Sequence, residues 1–84
     1  MVMFNFGLSA EEYNQMLEDQ AHKCKICGID EVEAPHARLC VDHDHTTGHI
    51  RGLLCHHCNS GLGMYKDNPE LLLKAANYIK GIVP

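Results

Sequence analysis

Near the start of the chain, apolar residues recur every three to four positions, the spacing of one helix face. The apolar stripe consists of Tyr13, Met16, Leu17 and Ala21. Ser9 comes before the stripe and Glu12 lies three residues further on, which is the spacing of a capping box. The pattern therefore predicts an amphipathic helix over residues 10–21.

Two short apolar runs with a polar turn between them follow in the middle of the chain. Residues 37–45 and 50–54 are rich in apolar and β-branched side chains, and Thr46-Thr47-Gly48-His49 separates them. This arrangement is typical of a β-hairpin. Residues 55–65 then have helical character, but Gly61 and Gly63 lower the helix propensity. We therefore expect this helix to be stabilised by what it binds.

A second amphipathic segment closes the pattern. Asp67-Asn68-Pro69 is typical of a helix start, with proline in the first turn. The apolar face that follows consists of Leu72, Leu73, Ala76 and Ile79. Gly81 and Pro84 are expected to end the helix.

The order of elements predicts a small α+β fold: an N-terminal helix, a Cys knuckle, a β-hairpin, a helix and a C-terminal helix. We expect a single domain over residues 1–84, with a core at about 22–66 and flanking helices at about 10–21 and 69–80. At 84 residues the chain is short, and a chain of this size buries only about 60–65% of its unfolded surface. Stability therefore requires a contribution from outside the apolar core.

Composition indicates where that contribution comes from. The chain has five Cys, seven His and no Trp. It contains no apolar run of membrane-spanning length, so we expect no membrane partner. The first residues have no basic segment of the kind that begins a signal peptide, which predicts a cytosolic protein. In a reducing compartment, paired cysteines are metal ligands more often than disulfides.

Four of the five cysteines form two C-x2-C pairs, Cys24 with Cys27 and Cys55 with Cys58. Each pair can present two thiolates from a tight turn, and two pairs complete the tetrahedral shell of one zinc ion. A filled shell leaves no position for water, so this predicts one structural Zn²⁺ per chain. Disulfides are the alternative, and the odd cysteine count argues against them. Cys40 is interpreted as a small buried apolar residue.

Between the cysteine pairs lies a run of acids and imidazoles, Asp42-His43-Asp44-His45. Such groups cost free energy if they are buried without partners, so a strand bears them either for a function or at an exposed end. The run lies close to the predicted zinc site, which favours a functional interpretation. Strict strand alternation places Asp42 and His43 on opposite faces, and both reach one phosphate only if the strand ends or twists there.

These motifs together resemble the recombination endonuclease VII family of HNH nucleases, which carry the ββα-metal (His-Me) finger. The resemblance covers about residues 7–79. It rests on Cys24-x-x-Cys27, on Asp42-His43-Asp44-His45, and on Gly48-x-Ile50-Arg51-Gly52-Leu53-Leu54-Cys55-x-x-Cys58-Asn59. The resemblance implies a zinc-stapled His-Me finger of the small phage type, acting in the host cytoplasm.

The resemblance also implies roles for individual residues. Asp42 and Asn59 would hold one catalytic Mg²⁺ or Mn²⁺ ion, and His43 would be the general base. His45 would act at the scissile phosphate, or only orient its neighbours. Asn59 has a structural alternative, since asparagine also caps helices. Asp44 either supports a neighbouring histidine or is a solvated acid in the turn.

The implied partner is DNA. The net charge of −4 comes from residues 1–22, because residues 23–84 contain seven basic and seven acidic residues. We therefore expect weak, salt-sensitive DNA contact with the acidic helix facing away. The candidate contacts are Arg51, Lys23, Lys25, Arg38 and Lys66. For Arg51, a salt bridge to Asp42 or Asp44 is the alternative.

Three further points stay open at this level. Cutting both strands would need a homodimer or a phage protein partner. The alternative function is a non-catalytic zinc-binding adaptor for DNA or protein, and an adaptor would not need Asp42, His43 and Asn59 together. A ribonuclease role is a third interpretation. His22, His36, His49, His56 and His57 have no assigned role.

Overall fold

The computed structural model describes residues 7–82 of the chain. The helices are α1 (Ala10–Asp19), α2 (His56–Met64) and α3 (Pro69–Lys80). The strands are β1 (Cys40–His43) and β2 (Ile50–Leu54), and two short 3-10 turns cover Glu31–Glu33 and Pro35–Ala37. The predicted fold class and element order are confirmed.

Helix α1 begins as its sequence predicts. The Ser9 side chain accepts from the Glu12 N–H at 3.1 Å, and the Glu12 carboxylate accepts from the Ser9 N–H at 2.9 Å. Both hydrogen bonds of the capping box are thus present. Tyr13 and Leu17 are buried on the predicted stripe.

The end of α1 differs from the prediction. The helix stops at Asp19, because Ala21 and His22 adopt left-handed backbone angles. The N–H groups of Ala21 and His22 donate to the carbonyls of Glu18 and Leu17, the hydrogen bonds of a Schellman motif. Ala21 is consequently exposed rather than part of the apolar stripe.

The hairpin is antiparallel, with Cys40 opposite Leu54 and Val41 opposite Leu53. Strand β2 has the predicted limits, but β1 is shorter than the predicted residues 37–45. His36 and Ala37 have left-handed backbone angles, so the segment before Arg38 turns and cannot pair as a strand. Beyond His43 the chain enters the turn.

The outer edge of β2 is covered by one side chain. The Gln20 amide accepts from the Leu53 N–H at 2.9 Å and donates to the Leu53 carbonyl at 3.0 Å. It also donates to the Lys23 carbonyl at 2.9 Å, and the Lys25 N–H donates to the Leu53 carbonyl at 3.2 Å. The loop after α1 is thus fixed against the strand.

The core lies between α1, the hairpin and the cysteine knuckle, and Leu39 and Leu53 are fully buried at its centre. The other buried members are Tyr13, Leu17, Cys24, Ala34, Leu54 and Cys55. Helix α2 contributes half-buried Cys58 and Leu62 to this cluster. Two metal-site cysteines are therefore part of the apolar core itself.

Helix α3 has the predicted limits and both predicted caps. The Asn68 side chain accepts from the Glu70 and Leu71 N–H groups, and Pro69 occupies the first turn. Gly81 ends the helix with φ of 80°; Pro84, also expected to end it, lies outside the described residues. No residue of α3 is buried, and its exposed apolar side chains include Leu71, Leu73, Tyr78 and Ile79.

Candidate active site

Four cysteine sulfurs converge between the knuckle and the start of α2. The Sγ atoms of Cys24, Cys27, Cys55 and Cys58 all lie within 4.8 Å of one another. The Cys27 and Cys55 sulfurs are 3.7 Å apart. A tetrahedral zinc site with Zn–S bonds of about 2.3 Å has sulfur–sulfur edges of about 3.8 Å. The four cysteines can therefore hold a zinc ion.

The local fold aims these thiols at one point. In the knuckle, the Gly28 N–H donates to the Cys24 carbonyl at 3.0 Å and the Cys24 N–H donates to the Ile29 carbonyl at 2.9 Å. Cys55 is the N-cap of α2, and Cys58 follows one turn later on the same face. The pair on α2 and the pair in the knuckle thus meet across β2.

The surroundings of the sulfurs act in opposite directions on the pKa values of individual cysteines, and they favour a thiolate at Cys24. Burial acts to raise the pKa of Cys24, but backbone hydrogen bonds from Cys55, Cys27 and Ile26 outweigh it and lower that pKa to about 6. Burial and the neighbouring thiols raise the pKa of Cys58 well above its usual range. A divalent cation at the centre would stabilise the thiolates that otherwise repel one another.

The strand carrying the acid and imidazole run is irregular where the run begins. Asp42 is opposite Gly52 and His43 is opposite Ile50, so Arg51 is an extra residue on β2 at this step. A bulge of this kind interrupts the alternation of side chains and re-aims the residues beside it. The strand also ends at His43. The structure thus has both irregularities that the sequence analysis required at this point, a register shift and the end of the strand.

Asp42 is the buried charged residue of this region, with its side chain 9% exposed. Its carboxylate accepts two hydrogen bonds from one guanidinium: Arg51 Nε donates to Oδ2 at 2.8 Å and Arg51 Nη2 donates to Oδ1 at 3.0 Å. The hydrogen bonds to Asp42 raise the pKa of Arg51 further. The sequence left Arg51 either as a DNA contact or in a salt bridge to Asp42 or Asp44. The structure contains the salt bridge to Asp42.

Arg51 has a second carboxylate partner that the sequence pattern does not indicate. Its Nη2 donates to Asp67 Oδ2 at 3.0 Å, and the Asp67 side chain is 17% exposed. Asp67 follows α2, where Lys66 and Asp67 have φ of 57° and 56°. The pattern of residues assigns Asp67 only to the start of α3. No local signal in the sequence connects it with Arg51, which is 16 residues away.

The two histidines of the run lie side by side. The ring centroids of His43 and His45 are 4.6 Å apart. His45 Nε2 is also 3.8 Å from Asp67 Oδ2. His45 therefore lies between His43 and Asp67, and Asp67 shares Arg51 with the Asp42 carboxylate. The predicted sharing of one side by His43 and His45 agrees with this proximity.

Asp44 and Asn59 lie in different local structures, Asp44 in the hairpin turn and Asn59 on α2. Asp44 Oδ1 accepts from the Thr46 N–H at 2.7 Å and the Thr47 N–H at 3.0 Å, so Asp44 serves the hairpin turn. These backbone hydrogen bonds lower the pKa of Asp44. Asn59 is half-buried on α2, directly after Cys58, and its N–H donates to the Cys55 carbonyl at 3.0 Å. Helix α2 packs against both strands.

A comparison with known protein families shows which family the chain belongs to. The family model for recombination endonuclease VII matches residues 2–81. The chain belongs to the recombination endonuclease VII family. The resemblance found in the sequence motifs is thus confirmed over nearly the whole chain.

Two curated relatives of this endonuclease VII-family chain are phage proteins. "Gene 59 protein" of Mycobacterium phage D29 is 41% identical over 80 residues, covering 94% of this chain and 47% of the relative. "Gene 59 protein" of Mycobacterium phage L5 is 39% identical over 79 residues, covering 93% of this chain and 47% of the relative. The chain thus spans about half the length of these relatives. No solved structure gives a significant match.

In this endonuclease VII-family member, the remaining residues predicted to contact DNA lie at the surface. Arg38 and Lys66 are exposed, and Lys23 lies 4.0 Å from Asp30 across an exposed ion pair. Lys25 Nζ donates to the Arg51 carbonyl at 3.4 Å. Within residues 7–82, no helix is long and apolar enough to cross a membrane.

Cys40 and the histidines without a predicted role are not part of the candidate zinc set. His56 and His57 are exposed on α2, and the four cysteines form the candidate zinc set without them. His22 Nδ1 lies 3.0 Å from Glu31 Oε1, and His49 is exposed in the turn. Cys40 is half-buried opposite Leu54, which agrees with the apolar role expected for it.

Proposed function

We propose that this chain is a metal-dependent endonuclease that hydrolyses phosphodiester bonds in DNA by nicking or double-strand cleavage, with branched DNA among its candidate substrates. The observation that carries the proposal is a cluster at the end of a bulged strand, where Asp42 and Asp67 share Arg51 and the His43–His45 pair lies beside Asp67. Membership of an endonuclease family supports it.

In this proposal the four cysteines bind one structural Zn²⁺. Four thiolates fill a tetrahedron, so the ion would not activate water itself. Its role is to hold the knuckle and α2 against the hairpin, with a free energy on the order of 10 kcal/mol. Asn59 comes directly after Cys58, so the same ion would also fix the position of Asn59.

The catalytic cation of this proposal is Mg²⁺ or Mn²⁺, held by Asp42 and Asn59. The donor set fits a hard cation, because it offers a buried carboxylate and an amide oxygen. A carboxylate has about four lone-pair positions, and Arg51 uses two of those on Asp42. The bound ion would offset the charge that develops on the scissile phosphate and on the leaving 3′ oxygen.

His43 acts as the general base in this mechanism. Its neutral imidazole takes a proton from a water molecule while the water oxygen attacks phosphorus. The bond from phosphorus to the 3′ oxygen breaks and the 3′ oxygen takes a proton from solvent, which leaves a 5′-phosphate and a 3′-hydroxyl. His45, with its ring 4.6 Å from that of His43, contributes at the same phosphate or orients His43.

DNA would approach the face that carries Arg51 and Lys66. Both residues line a cavity of about 340 Å³ together with His45 and Asp67. Lys25 contributes a further positive charge beside Arg51, and Lys23 and Arg38 are the outer candidates. Helix α1 exposes Glu11, Glu18 and Asp19, which supports an orientation with α1 away from the phosphates.

Cleavage of both strands would use a second chain, either another copy of this one or a phage protein partner. Helix α3 supports this part of the proposal, because Leu73 is 62% exposed and Ile79 is 83% exposed. Large apolar side chains exposed on a helix without buried residues are candidates for an interface between proteins.

The test is plasmid nicking by the purified, zinc-loaded chain. We expect Mg²⁺ or Mn²⁺ to support the nicking of supercoiled DNA, and His43→Ala to abolish it with zinc content and helix signal unchanged. His49→Ala is the matched control, since His49 is exposed in the turn. Nicking that persists in His43→Ala would contradict this mechanism.

A zinc-stabilised adaptor remains the second candidate function, favoured by one observation. The Asp42–Arg51 pair satisfies both carboxylate oxygens without a cation, as a binding module would require. DNA binding without cleavage of plasmid, linear, branched or single-stranded substrates would favour the adaptor. Cleavage of RNA alone in the same series would redirect the proposal to a ribonuclease.

A further inference from the structure

Arg51 is paired with Asp42, the carboxylate that the proposed function assigns to a cation. Two of its nitrogens hold both oxygens of Asp42, and the geometry is bidentate. The Asp42 side chain is 9% exposed, whereas that of Arg51 is 35% exposed. The buried carboxylate is therefore fixed, and the guanidinium is the partner that is free to move outward.

A guanidinium in this place opposes a divalent cation in two ways. It occupies two of the lone-pair positions on Asp42, so fewer are left for the cation, and it adds a positive charge within a few ångströms of the cation. An arginine cannot escape this conflict by losing its proton, because it stays charged in proteins. The conflict is relieved only if Arg51 moves to another acceptor.

Asp67 is that acceptor. It already takes one hydrogen bond from Arg51 Nη2 at 3.0 Å, the nitrogen that also donates to Asp42. Its own position is set by an unusual turn, with Lys66 and Asp67 in left-handed backbone angles. Their N–H groups donate to the carbonyls of Gly63 and Leu62 at the end of α2. Left-handed angles cost free energy in residues other than glycine, and such strain often marks functional sites.

Resting on the proposed function, we propose that Arg51 is a positioning residue that keeps Asp42 neutralised until a divalent cation displaces it onto Asp67. In the structure Arg51 is shared between the two carboxylates. With a cation at Asp42, Arg51 pairs with Asp67 alone and turns its remaining N–H groups toward the cavity lined by His45 and Lys66. Asp67 thereby sets the cation concentration at which the site fills.

Two variants separate this role from simple structural pairing. Arg51→Gln removes the competing charge, so the affinity of Asp42 for a cation rises, by about tenfold. Asp67→Asn removes the second charged acceptor and weakens cation binding by about threefold. Asparagine tolerates left-handed angles, so this variant keeps the turn. In the Arg51→Gln background, Asp67→Asn then has no effect.

The experiment measures Mn²⁺ binding to the zinc-loaded chain from the paramagnetic resonance signal of free Mn²⁺. Asp42→Asn identifies binding at the site, and Arg38→Gln is the matched arginine control, since Arg38 is exposed. Zinc content and the circular dichroism spectrum verify that each variant is folded. The expected order of affinity is Arg51→Gln above wild type, Arg38→Gln equal to wild type, and Asp67→Asn below it.

The outcomes distinguish this inference from the proposed function. An Arg51→Gln chain that binds Mn²⁺ no better than wild type, while Asp42→Asn binds none, overturns the role of Arg51 and leaves the cation site standing. An Asp67→Asn effect that persists without Arg51 also overturns it, because a direct charge effect then accounts for the loss. Equal binding by wild type and Asp42→Asn overturns the cation site itself.

Discussion

At the residue scale, carboxylates that are close in the sequence have different hydrogen-bond partners. Asp42 and Asp44 are two residues apart, yet one pairs with a guanidinium and the other accepts from two backbone N–H groups. The run Asp42-His43-Asp44-His45 predicts a functional site, since four such groups rarely occur together. The sequence could not distinguish the partners, because those depend on where Arg51 and the hairpin turn lie in space.

Asp44 provides a test of the turn. Replacement by alanine removes both acceptor contacts, so we expect Asp44→Ala to lower the melting temperature of the zinc-loaded chain. Asp44→Asn keeps an oxygen acceptor and should lie close to wild type at neutral pH. Thermal unfolding followed by circular dichroism compares the three proteins. Equal melting temperatures for Asp44→Ala and wild type would show that the turn does not depend on this side chain.

The same residue also predicts a pH dependence. The backbone hydrogen bonds lower the pKa of Asp44 in the folded chain from its ordinary value of 3.8. A lowered folded-state pKa means that the ionised form contributes stability at every pH above that ordinary value. The contribution is lost only as the pH falls through the folded-state pKa, so it is fully present at neutral pH.

At the element scale, helix starts were easier to predict than helix ends. Ser9, Asn68 and Pro69 are typical start residues, and α1 and α3 begin where they indicate. The ends of α1 and α2 are Schellman motifs in which Ala21 and Lys66 take the left-handed position usually held by glycine. Neither residue signals an end, so the predicted limits of both helices were too long.

The end of α1 gives an element-scale prediction. Ala21 has φ of 57°, a conformation that glycine adopts without the steric cost of a Cβ atom. We expect Ala21→Gly to raise the free energy of unfolding by about 1 kcal/mol. Gln15→Gly, at an exposed position inside the same helix, should lower it by about 0.5–1 kcal/mol. Urea unfolding with zinc in excess measures both.

A loss of stability in Ala21→Gly would contradict this account of the helix end. The entropy that glycine adds to the unfolded chain acts in that direction, so the sign of the change decides which effect is larger. The contrast with Gln15→Gly separates the local backbone angle from the general cost of glycine in α1.

At the scale of the whole molecule, the apolar core and the sulfur cluster are continuous. Cys24 and Cys55 are buried beside Leu53 and Leu54, so a metal at the four sulfurs would connect the knuckle, the hairpin and α2. The sequence could predict this staple, because two C-x2-C pairs in one short chain are typical of a zinc site. It could not predict Asp67 as a partner of Arg51, because that contact depends on how the α2–α3 turn folds back.

Helix α3 gives the prediction at this scale. Ile79 is 83% exposed on a helix that has no buried residue. If a second copy covers this surface, Ile79→Glu should shift the chain toward the monomer without lowering its melting temperature. Sedimentation velocity measures the shift, and Lys74→Glu, also on exposed α3, controls for added charge. Identical sedimentation of wild type and Ile79→Glu would leave α3 without a role in self-association.

The side-chain amide of Gln20 blocks the pairing of one hairpin edge with a strand of another molecule. A two-stranded hairpin has open edges, and unpaired N–H and C=O groups on an edge invite a strand from another molecule. At Leu53 both groups are already taken, by the Gln20 side chain and the Lys25 N–H. One side chain thus acts as a missing third strand. The side chain that protects this edge from aggregation belongs to the C-terminal cap of α1, so this edge of the sheet is closed to extension by another copy of the chain.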